Sequence, residues 1–325
     1  MLQQTQVATV VDYFQRFIKA LPTLQDLAAA SEDDVLRLWQ GLGYYRRARH
    51  LQAAARCVAD RHAGQIPQDV ESLRALPGVG RYTAGAIASL AFGVRAPVVD
   101  GNVARVLARW FDIRRSIDDP KVIGSIWDAA AALVPVRRPG RFNEALMELG
   151  ALVCTPRQPQ CPRCPVRAYC RSFLAGSVAN VPLRSPRRRP KAVVHHVAAL
   201  VHRGCLVLEQ RGDRGLWARM WQMPTFESMP EPVNPVAMQR RLREGGPCEV
   251  RKMDRVATFS HQTTHRTIRF HIWLVQLAGR RPAREGWIWR RIGRCGDDLP
   301  LAVPQRRALT MVAQTLATSK QRPSA

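Results

Sequence analysis

Cys154, Cys161, Cys164 and Cys170 stand in the spacing C-x6-C-x2-C-x5-C within seventeen residues, while Cys57, Cys205, Cys248 and Cys295 are scattered singly. Four thiolates this close in sequence suit a metal site or a disulfide framework. A chain of 325 residues can bury a core without disulfide staples, and the residues after Met1 do not read as a secretory signal. Zinc and an iron–sulfur cluster are the metal alternatives. Structural zinc sites pair two short C-x2-4-C knuckles, and only Cys161 and Cys164 are that close. A wide first gap, then x2, then x5 suits a loop wrapped around a cube-shaped [4Fe–4S] cluster.

Charge narrows the choice of partner. Lys and Arg total 50 against 25 Asp and Glu, a formal charge of +25. Arginine dominates the basic set, and its planar fork suits bidentate phosphate contact and stacking on bases. So basic a chain favours a polyanion, with nucleic acid first among the candidates. No run of 18 apolar residues exists, so no membrane span is expected. The expectation is a soluble, cytoplasmic, nucleoid-associated monomer.

The elements that must position these residues divide at a break in composition. Before about residue 175 the apolar spacing is helical. Val7, Val10, Val11, Phe14, Phe17 and Ile18 repeat at helical intervals, and residues 51–61 read as a helix ended by His62-Ala63-Gly64. Val103, Val106 and Leu107 follow a turn at Asp100-Gly101-Asn102, and Phe142, Leu146, Leu149 and Leu152 lead into Cys154. Residues 181–191 hold three prolines and five basic residues and read as an exposed linker. Beyond it, 193–202, 205–210, 255–259 and 268–277 are strand-like, with helices near 236–243 and 305–318. The expected organisation is a mainly α domain over 1–178, a basic Pro-rich linker over 179–192 and an α+β domain over 193–320.

Leu76-Pro77-Gly78-Val79-Gly80 lies between two helical stretches, 70–75 and 82–91, and resembles a helix-hairpin-helix. Small residues at Gly78 and Gly80, beside Val79, let the backbone approach a phosphate closely. The N-terminus of the second helix would then meet that phosphate with its N–H groups and dipole. Such a contact carries no sequence information.

The hairpin, then Val99-Asp100-Gly101, then the cysteine spacing together resemble the endonuclease III superfamily of DNA glycosylases. Within it the chain is similar to the MutY-type adenine DNA glycosylases. The stretches that carry the resemblance are Met1-Leu-Gln-Gln-Thr-Gln-Val-Ala-Thr-Val, Gly41-Leu-Gly-Tyr-Tyr-Arg-Arg-Ala-Arg, Leu76-Pro-Gly-Val-Gly-Arg-Tyr-Thr-Ala-Gly-Ala, Val99-Asp-Gly-Asn-Val-Ala-Arg-Val-Leu and Phe142-Asn-Glu-Ala-Leu-Met-Glu-Leu-Gly-Ala. The resemblance implies base excision repair: removal of adenine mispaired with 8-oxoguanine, or with guanine, in double-stranded DNA. It implies a [4Fe–4S] cluster on Cys154, Cys161, Cys164 and Cys170, with Arg157, Arg163 and Arg167 facing phosphates. A glycosylase that also nicks the strand attacks the sugar with a lysine two residues after the hairpin's last glycine. Tyr82 stands there, which argues for base excision without a lyase step and against a bifunctional enzyme.

Cleaving an N-glycosidic bond requires a proton for the leaving base and stabilisation of positive charge on the sugar. Asp100, at a helix start whose dipole favours an anion, is the candidate for the second role, with Asn102 as its partner. The resemblance places Tyr82 near the sugar and Glu144 against the flipped adenine. It gives Gln4 and Tyr44 the role of wedges beside 8-oxoguanine as adenine leaves the stack. It places the proton-donating glutamate, an opening helix and a Pro-Trp-Arg-like segment upstream of Met1. The sequence as it stands is thus expected to be N-terminally shortened and impaired in base release. A catalytically impaired module that binds the mismatch is the alternative.

The second half resembles the Nudix-like domain of this family through Gly215-Leu-Trp-Ala-Arg-Met-Trp-Gln-Met-Pro224. A Nudix hydrolase needs an acidic helix to hold Mg²⁺. The nearest candidate, Met238-Gln-Arg-Arg-Leu-Arg-Glu-Gly-Gly, offers Glu244 alone, so pyrophosphohydrolase activity is not expected. Phe259-Ser260-His261 resembles the family's 8-oxoguanine-reading loop, with Phe259 as a wedge and Ser260 and His261 as hydrogen-bonding groups.

Overall fold

The computed structural model describes residues 1–3, 5–185, 189–228, 235–244, 249–280, 286–295 and 298–320. They divide into two compact units, Ala53–Arg187 and Met1–Gln52 with Arg188–Ala325. One division falls inside the Pro-rich basic segment. The other falls within a helix, Arg46–Arg61.

The first unit in sequence opens with α1 (Val7–Ala20), α2 (Leu24–Ala29) and α3 (Glu32–Trp39), and α4 (Arg46–Arg61) leads out of it. Thr23 and Ser31 cap α2 and α3 by accepting from the amides of Asp26 and Asp34, the usual service of a hydroxyl at this position. Phe17 meets Trp39 edge-on, with ring centroids 6.0 Å apart. Helix α1 buries Val10 and Phe17, while Val7, Val11, Phe14 and Ile18 are exposed.

The same unit contains a seven-stranded mixed sheet. Its strands are β1 (Lys191–His202), β2 (Cys205–Gln210), β3 (Trp221–Gln222), β4 (Thr225–Ser228), β5 (Val250–Gln262), β6 (Arg266–Leu277) and β7 (Trp287–Arg291). The order is β3-β2-β1-β6-β5, with β4 also on β1 and β7 also on β2. Strand β1 runs parallel to β6 and antiparallel to its other neighbours. Its residues from Val193 to Val201 are all buried, the mark of a central strand covered on both faces. Helix α11 (Pro235–Glu244) places Met238 and Leu242 against Ala198, Leu200, Trp273 and Val275. The opposite face carries His195, Phe270 and Phe259, paired across β1, β6 and β5. Helix α12 (Val303–Lys320) brings Arg307 over that face. The expected α+β architecture is present, although β3, β4 and β7 were not legible as strands.

The second unit is helical: the end of α4, then α5 (Val70–Ala75), α6 (Arg81–Ala86), α7 (Gly101–Trp110), α8 (Pro120–Leu133), α9 (Pro139–Glu148) and α10 (Arg171–Leu174). Asp69, Asp100 and Asp119 cap α5, α7 and α8. Short π-helical turns follow α6 at Ile87–Ala91 and α9 at Leu149–Val153. Val103, Val106 and Leu107 of α7 join Val122, Ile126 and Leu146 in one core. Each large apolar side chain so buried contributes about 1.5–3 kcal/mol. Helix α7 is therefore fixed along its length, which matters because its N-cap is Asp100.

Candidate functional site

At the hairpin, α5 stops at Ala75 and the Val79 amide donates to the Leu76 carbonyl at 3.1 Å. Gly78 has φ +77°, a conformation that L side chains strain to adopt. Gly80 is the N-cap of α6 and offers no side chain for that role. Arg81 lies with its guanidinium 4.1 Å from the Trp127 ring centroid, which fixes the first turn of α6 against α8.

Asp100 is fully engaged as a cap. Its Oδ1 accepts from the amides of Asn102 at 2.9 Å and Val103 at 2.7 Å, and its Oδ2 accepts from Asn102 Nδ2 at 3.1 Å. Asn102 Oδ1 in turn accepts from Arg105 Nη2 at 2.9 Å. The Tyr82 hydroxyl donates to Met147 Sδ at 3.7 Å. Burial, and then the charge of Asp100, push the Tyr82 phenol above its usual pKa, so it stays a neutral hydroxyl beside the carboxylate. The structure thus brings Asp100, Asn102 and Tyr82 together. Glu144 is exposed on α9. Its neighbour Asn143 points inward, donating to Ser89 Oγ and the Ala96 carbonyl.

The four cysteines line one cavity with Val106, Arg109 and Phe173. All four are free thiols. The π-turn after α9 delivers Cys154, a 3-10 turn opens at Cys161, and Cys170 starts α10. Burial raises the thiol pKa of Cys161, and the other three cysteines add to it; burial likewise raises that of Cys164. Clustered thiolates repel one another until a cation sits among them. No three described His, Cys, Asp or Glu side chains converge tightly enough for one metal ion. Arg157, Arg163 and Arg167 are exposed around the loop.

Two arginines of α7 were not singled out by their sequence pattern. Arg105, 5% exposed, donates to the carbonyls of Cys154 at 2.8 Å and Gly150 at 2.7 Å as well as to Asn102. Arg109, 3% exposed, points Nη1 at Cys154 Sγ at 3.3 Å and donates to the carbonyls of Thr155, Pro156 and Val181. One helix therefore ties the carboxylate at its N-terminus to the cysteine loop. The available signal was their i,i+4 spacing within an otherwise apolar helix.

In the sheet-bearing unit, Phe259 is 7% exposed. It stacks on Phe270 at 5.0 Å and lies beneath the Arg307 guanidinium; a wedge role requires it to leave that stack. Ser260 is exposed and His261 half-buried, with its ring 5.9 Å from Trp217. Burial, then the Arg307 charge, lower the His261 pKa. Tyr44 is 46% exposed, and its hydroxyl lies 2.8 Å from Thr264 Oγ1. Gln4 lies outside the described residues. No helix among the described residues is long and apolar enough to cross a membrane.

Two family models match the chain. Residues 1–130 match the HhH-GPD superfamily base excision DNA repair protein, and residues 196–311 match the NUDIX domain. The two matches define the class: an HhH-GPD superfamily region followed by a NUDIX domain. The chain is 38% identical to the adenine DNA glycosylase of Rattus norvegicus over 87% of its own length and 64% of that relative's. It is 38% identical to the one of Homo sapiens over 87% and 60% of the two chains. It is 30% identical to the one of Buchnera aphidicola subsp. Baizongia pistaciae over 85% and 76%. The chain belongs to the adenine DNA glycosylase family. It spans a little under two thirds of the length of the two mammalian relatives.

Proposed function

We propose that the protein is a monofunctional DNA glycosylase, nucleoid-associated, that releases adenine mispaired with 8-oxoguanine or guanine. Residues 1–178 would carry the chemistry and 193–320 would read the opposite base. The observation that carries the reading is Asp100 at the α7 N-cap, with Tyr82 beside it. The glycosidic bond breaks with its electron pair leaving on adenine, and positive charge develops on the sugar; water adds to the sugar carbon, and the proton it releases balances the one the departing base takes up. A carboxylate held by two backbone amides and Asn102 is pre-oriented to stabilise that charge. The neutral Tyr82 phenol offers no amine for a Schiff base. Glu144 would hydrogen-bond the extruded base, and the hairpin at Gly78, Val79 and Gly80 would hold a phosphate.

A [4Fe–4S] cluster would suit this loop: the four cysteines line one cavity, and the Arg109 N–H beside Cys154 Sγ suits a thiolate. When bound, the cluster would supply structural cross-linking of the loop that presents Arg157, Arg163 and Arg167. The NUDIX match together with a helix offering Glu244 alone supports recognition rather than hydrolysis in the second domain.

The test is single-turnover adenine release from an 8-oxoguanine:adenine duplex by wild type and Asp100→Asn. Release by wild type, however slow, that the variant loses, with duplex binding retained, is the expected result. Undiminished release by the variant refutes the role of Asp100. Binding without release by wild type makes the chain a recognition module instead.

A further inference from the structure

Tyr44 is held by an unusual arrangement. It has φ +48° and follows Gly41 and Gly43, also at positive φ, so a bulky residue sits in a backbone region that normally goes to glycine. The loop is braced from beneath. Trp39 Nε1 and Arg47 Nη2 both donate to the Gly43 carbonyl. The Arg47 guanidinium lies 5.4 Å from both the Tyr44 and the Trp39 ring centroids. Arg47 also donates to Thr5 Oγ1 and to the carbonyls of Met1 and Gln3. The far end of the Tyr44 ring is tied down by Thr264, 220 positions away in sequence.

Thr264 is the middle residue of the tight turn between β5 and β6. That turn is closed by the Thr263 amide donating to the Arg266 carbonyl at 2.8 Å and the Arg266 amide donating to Thr263 Oγ1 at 3.0 Å. The same hairpin carries Ser260 and His261 on β5. One hydrogen bond thus spans a strained, half-exposed aromatic and the turn next to the groups that would read the opposite base.

We propose that the Tyr44–Thr264 hydrogen bond sets Tyr44 in register with Ser260 and His261, making Thr264 a positioning residue for telling 8-oxoguanine from guanine. The inference rests on the functional reading above. The two bases differ at one edge, where 8-oxoguanine has an extra carbonyl oxygen and an N–H in place of a lone pair. Hydrogen bonds to that edge tolerate little displacement, whereas stacking on Tyr44 serves both bases. Loss of the clasp therefore weakens the 8-oxoguanine complex selectively.

The experiment measures equilibrium binding of the full chain to duplexes containing non-hydrolysable 2′-fluoro-deoxyadenosine opposite 8-oxoguanine or guanine. Thr264→Val keeps the shape and removes the hydroxyl, Tyr44→Phe removes the other partner, and Thr264→Ser restores a hydroxyl. Thr264→Val and Tyr44→Phe are each expected to lower the 8-oxoguanine-to-guanine affinity ratio about fivefold, the usual weight of one neutral hydrogen bond. The double variant is expected to fall no further, and Thr264→Ser to stay near wild type. A ratio unchanged in Thr264→Val, or losses that multiply in the double variant, overturn the inference alone. Wild type that binds both duplexes equally overturns it together with the reading that residues 193–320 recognise the opposite base. Because both duplexes are measured on one preparation, partial unfolding cancels from the ratio.

Discussion

Replacing Gly150 with alanine tests whether the turn before Cys154 positions the Asp100 cap to which the proposed function assigns the chemistry. A Cβ at Gly150 would stand 2.7 Å from Asn102 Cβ and 3.0 Å from the Asn102 carbonyl carbon. Carbon atoms in comfortable contact sit about 3.5–4.0 Å apart, so the two segments must part by roughly 1 Å. Both belong to rigid backbone: Asn102 is in the first turn of α7, and Gly150 is in the π-turn that Arg105 binds through its carbonyl. Overpacking of this kind costs about 1–3 kcal/mol. The displaced residue is the one whose Nδ2 donates to Asp100 Oδ2. A misplacement of about 1 Å at a reacting group slows a reaction by up to about 100-fold. Gly150→Ala is therefore expected to lower the urea midpoint and to slow single-turnover adenine release by one to two orders of magnitude, with duplex affinity little changed. Gly124→Ala is the matched control, because a Cβ on that residue of α8 meets nothing within 4 Å. It should be neutral or stabilising by up to about 1 kcal/mol. Wild-type stability and release rate in Gly150→Ala would refute the argument that Asn102 is held by close approach of the turn.

Two further outcomes follow from buried charge. Arg109→Leu leaves the carbonyls of Thr155, Pro156 and Val181 without their guanidinium donor, at about 1–3 kcal/mol for each group left unsatisfied. Iron and sulfide per chain, together with the thermal midpoint, should both fall, and full iron content at an unchanged midpoint would contradict the role given to this side chain. His195, 1% exposed, has its pKa lowered from 6.5 to about 4, chiefly by burial, with the Arg211 and Arg266 charges acting the same way and Glu227 opposing them. Between those two values the unfolded chain binds more protons, so stability is full above about pH 6.5 and falls as the pH drops toward 4, by at most about 3 kcal/mol. His195→Phe should flatten that slope in urea titrations at stepped pH, and an unaltered slope would assign the acid sensitivity elsewhere.

The parts of this protein legible in its sequence are those set by local rules. Hairpin helix α5 falls at residues 70–75 as expected, because Asp69 caps it and Leu76-Pro77-Gly78 ends it. Strands β1, β2 and β6 follow alternation or continuous apolar runs. Strands β3, β4 and β7 are short or carry Trp and Arg, so only their partners on β1 and β2 define them. Helix α4 begins five residues before its apolar repeat because Arg46, Arg47 and Arg49 occupy its first turn. At the site, Asp100 and Asn102 were legible from the N-cap pattern and the resemblance, and Tyr82 from its place after the hairpin. The burial of Phe259 was not, since a strand shows which residues share a face but not what covers it: Phe270 and Arg307 come from elsewhere in the chain.

Arg105 and Arg109 qualify the argument from net charge. Composition assigns the arginine excess to a polyanionic partner, yet these two guanidiniums are buried and directed at carbonyl oxygens and a cysteine sulfur. Arginine suits that position because five N–H donors in a rigid fork can serve several acceptors at once. Helix α7 supplies such a residue twice, and together the two serve the carbonyls of Gly150, Cys154, Thr155 and Pro156. The guanidiniums fill that role and at the same time set positive charge beside the thiolates. Only the exposed arginines, among them Arg157, Arg163 and Arg167, remain available to phosphates. Neutralising one of those should weaken duplex binding and reduce its salt dependence by about one ion. Replacing Arg105 or Arg109 should instead disturb Asn102 or Cys154, with a salt dependence like that of wild type. A salt titration of binding for Arg163→Gln beside Arg105→Gln separates the two populations. Equal loss of salt dependence in both would mean that the buried guanidiniums face DNA after all.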